Sequence, residues 1–327
     1  MVQYLIILLD DASTSYCHYS NREEKRLMPL DTLKQGILYA MKENLTIQFV
    51  YPDYELPQEY KDVIESIEHS DIVSSLCEDT TLKEDADVVV FNSWLDTDSY
   101  NFSNKTVYVI RTNKSDLFEK QQLLKDLISK ANRLNIVITD VETFTEEDFE
   151  KYKEVLATLS EEVEKLYVED KCHQVNILTD RMMLDKMNNC NAGWESITLA
   201  PDGYFYVCLA FYLTSGDENF GLGKTKYSIG NLENGLDIKN PQLYKLDHAP
   251  LCRKCDAYQC KRCVWLNRKT TYEVNTPSHE QCVIAHLERN ASRALLASIR
   301  SHGSFLPEKE EIKEIGYLDP FDKKDEW

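Results

Sequence analysis

The sequence predicts an α/β chain, a run of about six β/α units followed by a cysteine-rich segment. Three observations carry this. Short apolar runs alternate with amphipathic stretches from residue 4 to about residue 180, glycine is nearly absent from that half, and seven of the ten cysteines lie between Cys190 and Cys282. Repeated β/α units imply a parallel sheet, built as an open doubly wound fold or as a partial barrel. At 327 residues the chain can bury a full core and form two structural units.

Residues 4–9 are a continuous apolar run, as in a strand buried on both faces. Asp31 is placed to cap a helix that turns Leu33, Ile37, Leu38 and Met41 to one side. Residues 46–51 form the second strand, and the helix after Pro57 presents Tyr60, Val63, Ile64 and Ile67. Residues 88–91 and 106–110 are strands three and four, joined by a loop. Ser115 opens a helix with Phe118, Leu123, Leu124, Leu127 and Ile128 inward, and residues 134–139 are strand five. Thr145-x-x-Asp148 is a capping-box start for a long helix carrying Phe149, Tyr152, Leu156, Leu159, Val163 and Leu166. Residues 175–178 are strand six.

In such folds chemistry lies beyond the carboxyl ends of the strands. The polar residues there are Asp10, Asp11, Tyr51, Asp53, Asn92, Arg111, Asp140, Asp180 and Arg181. They either line a pocket for a polar or peptide ligand or simply face water in loops. Before Gly193 the only glycine is Gly36, inside a helix, so there is no Rossmann fingerprint or P-loop, which argues against dinucleotide and nucleoside-triphosphate chemistry. The net charge of −19 argues against nucleic acid as a partner. The opening residues lack the basic region of a signal peptide, and no run approaches the ~18 apolar residues of a membrane span. A cytoplasmic protein is expected, where clustered thiols favour metal over disulfides.

The cysteines read Cys190-x12-Gly203-x4-Cys208, then Cys252-x2-Cys255-x4-Cys260-x2-Cys263, then Cys282. Residues 197–200 and 204–208 flank Pro201-Asp202-Gly203, a hairpin turn in which Gly203 takes positive φ and draws the surroundings of Cys190 and Cys208 together. Four thiolates within twelve residues have ferredoxin-type spacing, whereas a zinc ribbon separates its two Cys-x2-Cys knuckles by more chain. Iron–sulfur clusters are the first reading, structural zinc the second and disulfides the third. Lys245, Arg253, Lys254, Lys261, Arg262, Arg268 and Lys269 surround this stretch, against Asp247 and Asp256. They either balance an anionic cluster or form a solvated basic loop. Cys172 is a candidate further ligand or a partly buried thiol, and Cys77 has no assigned role.

The loop after strand one reads Ser13-x3-Cys17-x2-Ser20. It resembles the loop of radical S-adenosylmethionine (SAM) enzymes, with serine at two of the three positions where those enzymes place cluster cysteines. Serine is a poor iron ligand beside thiolate. Their glycine-rich segment near strand two is also replaced, by Tyr51-Pro52-Asp53-Tyr54. The resemblance thus implies a retained scaffold without classical SAM cleavage. The seven later cysteines resemble the SPASM domain that follows the barrel in peptide-modifying radical SAM enzymes. Its first part is matched in full, and the 252–263 run is one residue short in each of its last two gaps.

Together the halves resemble the CXXX-repeat peptide maturases. The resemblance implies a partial (β/α)6 TIM-type barrel over 1–185, a SPASM-like iron–sulfur domain over 186–290, and a C-terminal helix with a charged tail over 291–327. It implies two [4Fe-4S] clusters, one on Cys252, Cys255, Cys260 and Cys282 and the other on Cys190, Cys208 and Cys263. Cys17 would act as acid, base or nucleophile at the barrel mouth. The implied function is maturation of a ribosomally made, cysteine-containing precursor peptide, with a partner modification protein or electron donor. The alternatives are a non-catalytic peptide-binding adaptor and a zinc-stabilised binding module. After Cys282, residues 285–300 read as an amphipathic helix with Ile284, Leu287, Ala291, Leu295, Leu296 and Ile299 near helical spacing, and the tail carries Pro307 and Pro320.

Overall fold

The computed structural model describes residues 2–98, 100–214 and 227–321. Each of two units takes two stretches of chain, Met1–Asn92 with Asn191–His248 and Ser93–Cys190 with Ala249–Trp327. The first stretch alternates as the apolar pattern demands: β1 (Tyr4–Leu8), α1 (Leu30–Glu43), β2 (Thr46–Val50), α2 (Gln58–Ile64), β3 (His69–Ser74), α3 (Thr80–Asp85) and β4 (Val88–Phe91). β1 to β4 pair parallel in chain order. Leu5, Ile7 and Leu8 are wholly buried, as a doubly covered strand requires.

Three details depart from the sequence reading. The residue before α1 is Pro29 and gives no side-chain cap, so Asp31 lies in the first turn and acts on the helix dipole instead. The buried face of α1 is Leu33, Gly36, Ile37 and Ala40, while Leu38 and Met41 are each 63% exposed. β3 was not expected as a strand. Its first three residues, His69, Ser70 and Asp71, are only half-buried and polar, and pairing with β2 and β4 makes the strand.

The next stretch holds β5 (Val107–Thr112), α4 (Lys114–Glu119), α5 (Gln121–Lys130), β6 (Arg133–Ile138), α6 (Glu146–Val168), β7 (Gln174–Val175) and α7 (Asp180–Met183). β5, β6 and β7 are parallel neighbours. The single helix expected from Ser115 is two helices, capped by Asn113 and interrupted at Lys120. The capping box of Thr145 and Asp148 starts α6 as expected. Strand six is shorter than expected because Asn176 replaces the ladder with its side chain. Its amide accepts from Ile136 N–H (2.8 Å) and donates to Ile136 C=O (3.0 Å).

The chain then returns to the first unit through β8 (Ser196–Leu199), β9 (Tyr204–Tyr206), α8 (Leu209–Leu213), β10 (Ser228–Asn231) and β11 (Gly235–Leu236). β8 runs parallel to β1, with Tyr4 opposite Ser196, and forms an antiparallel hairpin with β9. Gly203 in its turn has φ +80°, as expected. The strand order in this unit is β11-β10-β9-β8-β1-β2-β3-β4. A Cβ at Gly36 would strike Leu199 of β8, so glycine lets α1 approach the sheet.

The final stretch adds α9 (Val264–Thr271) and α10 (His279–His302) to the second unit. α10 lies against α6 and buries Val283, Ile284, Leu287, Leu295, Leu296 and Ile299. Among the described residues no helix is long and apolar enough to cross a membrane. The end of the expected charged tail, residues 322–327, lies outside the described residues.

Candidate metal centre

At the end of β1 the polar residues are consumed by the loop itself. Asp10 is wholly buried, and its Oδ1 accepts from Ala12 N–H (2.7 Å) and its Oδ2 from Tyr54 Oη (2.8 Å). Asp10 N–H in turn donates to Ser13 Oγ (3.0 Å). Asp11 pairs with Arg22 at 2.9 Å and accepts from Tyr212 Oη. Thr14 is tied to Tyr51 C=O (3.0 Å) through its N–H and accepts from Asn92 (3.1 Å). Ser13 is buried within this network, Ser20 is exposed, and half-buried Cys17 is the only thiol of the loop. These residues do not fit a three-thiolate cluster of the SAM-binding kind. In the second unit Asp180 grips Arg133 (2.9 Å for the Oδ2 bond) and Asp140 accepts from Lys114 N–H (2.9 Å), so these strand-end carboxylates also serve the fold.

The 252–263 run behaves differently. Cys252, Cys255, Cys260 and Cys282 line one cavity of about 110 Å³, with Arg262, Gln281 and His286 among its other walls. Cys282 lies in the first turn of α10, where the capping box of Ser278 and Gln281 fixes it and Cys282 N–H donates to Ser278 C=O (3.2 Å). Two of the other three sit on tight turns whose N–H groups point at sulfur. Ala257 N–H donates to Cys255 Sγ and Arg262 N–H to Cys260 Sγ, both at 3.4 Å. α10 clamps the loop at two places. Arg289 holds Asp256 through two bonds (2.8 and 2.6 Å), and Gln259 Nε2 donates to Ala285 C=O (2.6 Å).

Burial pushes the Cys252 thiol up to about 11 and that of Cys260 to about 12. Cys282 is raised further, by burial first and then by the neighbouring Cys260, Cys252 and Cys255. Thiols that oppose one another's ionisation are close together, and a cation among them reverses that opposition. None of the four is in a disulfide. Four thiols lining one cavity, two of them with N–H···S support, are the donor set of a four-thiolate iron–sulfur cluster.

The remaining expected ligands divide. Cys190 N–H donates to Lys261 C=O (2.7 Å) and Asn188 N–H to Tyr258 C=O (2.8 Å), so residues 188–190 run beside the cysteine loop. Cys263 caps α9 and accepts from Leu266 N–H (3.5 Å). Cys190 and Cys263 both act electrostatically on Arg262. Cys208 belongs to the first unit, at the start of α8. Cys172 is exposed, and Cys77 is buried just after β3 in the chain, with its thiol pushed up by burial.

Sequence reasoning missed His286. Its Nδ1–H donates to Leu318 C=O, which leaves Nε2 facing Cys255 Sγ at 3.4 Å, and burial lowers its basicity. The available signal was the spacing Cys282-x3-His286, which puts both on one face of a helix. The clamp by Arg289 and Gln259 left no such trace, because partners distant in sequence form it.

No protein-family model matches the chain, and no curated protein does. Solved structures do. The chain is similar to anSMEcpe with bound AdoMet and Cp18Cys peptide, at 12% identity and a TM-score of 0.60, covering 92% of this chain and 100% of that one. A histidine-tagged form of anSMEcpe with bound AdoMet gives a TM-score of 0.61 at the same identity and coverage. At that identity the likeness establishes the fold alone: a mixed α/β chain with a parallel-sheet core, as the sequence predicts.

Proposed function

We propose that this chain takes part in modifying a cysteine-containing precursor peptide in the cytoplasm, using an iron–sulfur cluster held by Cys252, Cys255, Cys260 and Cys282. The convergence of these four thiols on one cavity carries the reading. A bound cluster of this kind supplies one-electron chemistry, because each of its four irons already has a cysteine ligand. The chain's own groups bury it, present N–H donors to sulfur and clamp the loop to α10. Cys190, Cys208 and Cys263 are proposed to hold a second cluster. Peptide as the substrate class is supported by the fold shared with anSMEcpe, which was solved with a bound peptide.

The decisive experiment is anaerobic purification followed by iron and sulfide analysis. Wild type should hold both elements, and Cys260→Ser together with Cys282→Ser should lose about half of the iron if each set binds one cluster. Colourless protein with stoichiometric zinc sinks the redox reading in favour of a zinc-stabilised module.

A second reading, a non-catalytic adaptor that presents the peptide to a partner enzyme, is favoured by Ser13, buried and bonded to Asp10 where a cluster ligand would stand. Under both readings, incubation with SAM and a strong reductant yields no 5′-deoxyadenosine. Its appearance would overturn the assignment of the loop and restore a role for Cys17 beside a cluster.

A further inference from the structure

Arg262 is among the largest fully buried side chains of the protein, with 1% exposure. It lies between Cys260 and Cys263 with φ +44°, a left-handed conformation that strains any residue bearing a Cβ. Its N–H donates to Cys260 Sγ (3.4 Å) and its Nε donates to Asn189 Oδ1 (2.6 Å). The side chain lines the cavity of Cys252, Cys255, Cys260 and Cys282. It also stands within electrostatic reach of Cys190 and Cys263, outside that cavity set. Glycine would suit this backbone and still offer the N–H to sulfur. Something must therefore favour a strained, buried guanidinium, which is costly unless anions face it. Thiolates become anions when they bind metal, and a four-thiolate centre keeps net negative charge.

We infer that Arg262 is a positioning residue whose fixed positive charge is shared by two thiolate sets, Cys252 with Cys260 and Cys190 with Cys263, and tightens their hold on metal. The nature of the native centre rests on the function proposed above, but the charge argument applies to any thiolate-bound metal. Asn189 orients the guanidinium, and Cys260 fixes the backbone beneath it. One charge thereby couples the two sets. The negative charge of a metal–thiolate centre at one set would partly offset Arg262 and so weaken its field at the other.

Cobalt(II) is the probe, because its thiolate charge-transfer absorption reports binding without iron or sulfide. Wild type, Arg262→Gly, Arg262→Gln and Arg262→Lys are titrated anaerobically, with circular dichroism as the check on folding. The glycine variant relieves the strain and keeps the N–H donor, so a purely structural role predicts equal or tighter binding. The inference predicts cobalt affinity lower by at least about tenfold in the glycine and glutamine variants, with lysine restoring much of it. Glutamine decides the matter should the glycine variant fail to fold. In protein reconstituted with iron and sulfide, both neutral variants should also show a more negative reduction potential than wild type.

Affinity within twofold of wild type in a folded neutral variant overturns the inference, as does a lysine variant no better than the neutral ones. If wild type binds cobalt in an Arg262-dependent way yet takes up no iron and sulfide, the charge assignment stands and the cluster reading falls.

Discussion

Glu288 stands on α10 with both carboxylate oxygens engaged, accepting from Tyr152 Oη (2.8 Å) and Gln259 Nε2 (3.3 Å). Burial pushes it up to about 7 from an ordinary value of 4.5. The folded protein therefore keeps a proton that the unfolded chain has lost between those values. The associated stability is complete below the unfolded value and disappears as pH rises through the folded one, by at most about 3 kcal/mol. Glu288→Gln cannot titrate. Its unfolding free energy should vary less between about pH 5 and about pH 8 than that of wild type. Parallel pH curves for the two proteins would show that Glu288 is ionised throughout. Because Gln259 belongs to the cysteine loop, the variant also tests whether this carboxyl steadies the candidate centre. The cysteines were legible at this scale from spacing alone, whereas Glu288 and Arg262 looked like ordinary charged residues. Their burial is a property of the neighbours, and no pattern of adjacent residues encodes it.

At the scale of elements, α10 illustrates what capping does for a candidate ligand. The side chain of Ser278 accepts from Gln281 N–H and the side chain of Gln281 accepts from Ser278 N–H, each at 3.3 Å, one turn before Cys282. Ser278→Ala should cost about 1 kcal/mol of stability in urea unfolding. It should also loosen metal retention, because the frayed turn carries Cys282. Unchanged cobalt or iron retention alongside the stability loss would separate the cap from the site. The box that starts α6 was readable because its two residues are neighbours in sequence. The buried face of α1 was not. Leu38 and Met41 fitted the helical period, yet Gly36 and Ala40 are inside, since small side chains allow the closest approach to β8. β3 escaped for a related reason. His69, Ser70 and Asp71 have little strand preference, and the hydrogen bonds of two neighbouring strands supply what the residues lack.

For the whole molecule, the interleaved chain path means that the cysteine-rich stretch serves both units. β8 and β9 extend the sheet beside β1, while residues 252–282 build the thiol cavity against α10. Removing metal with a chelator should therefore act unevenly. Amides of 252–263 and of the first turn of α10 should exchange with deuterium much faster in stripped protein, while those of β1, β2 and β4 keep their protection. Equal protection everywhere, with or without metal, would mean that the four thiols are held by packing alone.

The sequence by itself determined the fold class and the hairpin at Gly203, and it set Cys252, Cys255, Cys260 and Cys263 within twelve residues. Each follows from local periodicity, turn chemistry or short spacing. Only the tertiary structure decided that Ser13 is a buried hydrogen-bond acceptor for the loop, that Arg289 and Gln259 clamp the cysteine turns, and that Arg262 stands where two thiol sets reach it. Those outcomes depend on dielectric and contact between residues far apart in the chain, which exist only once the chain has folded.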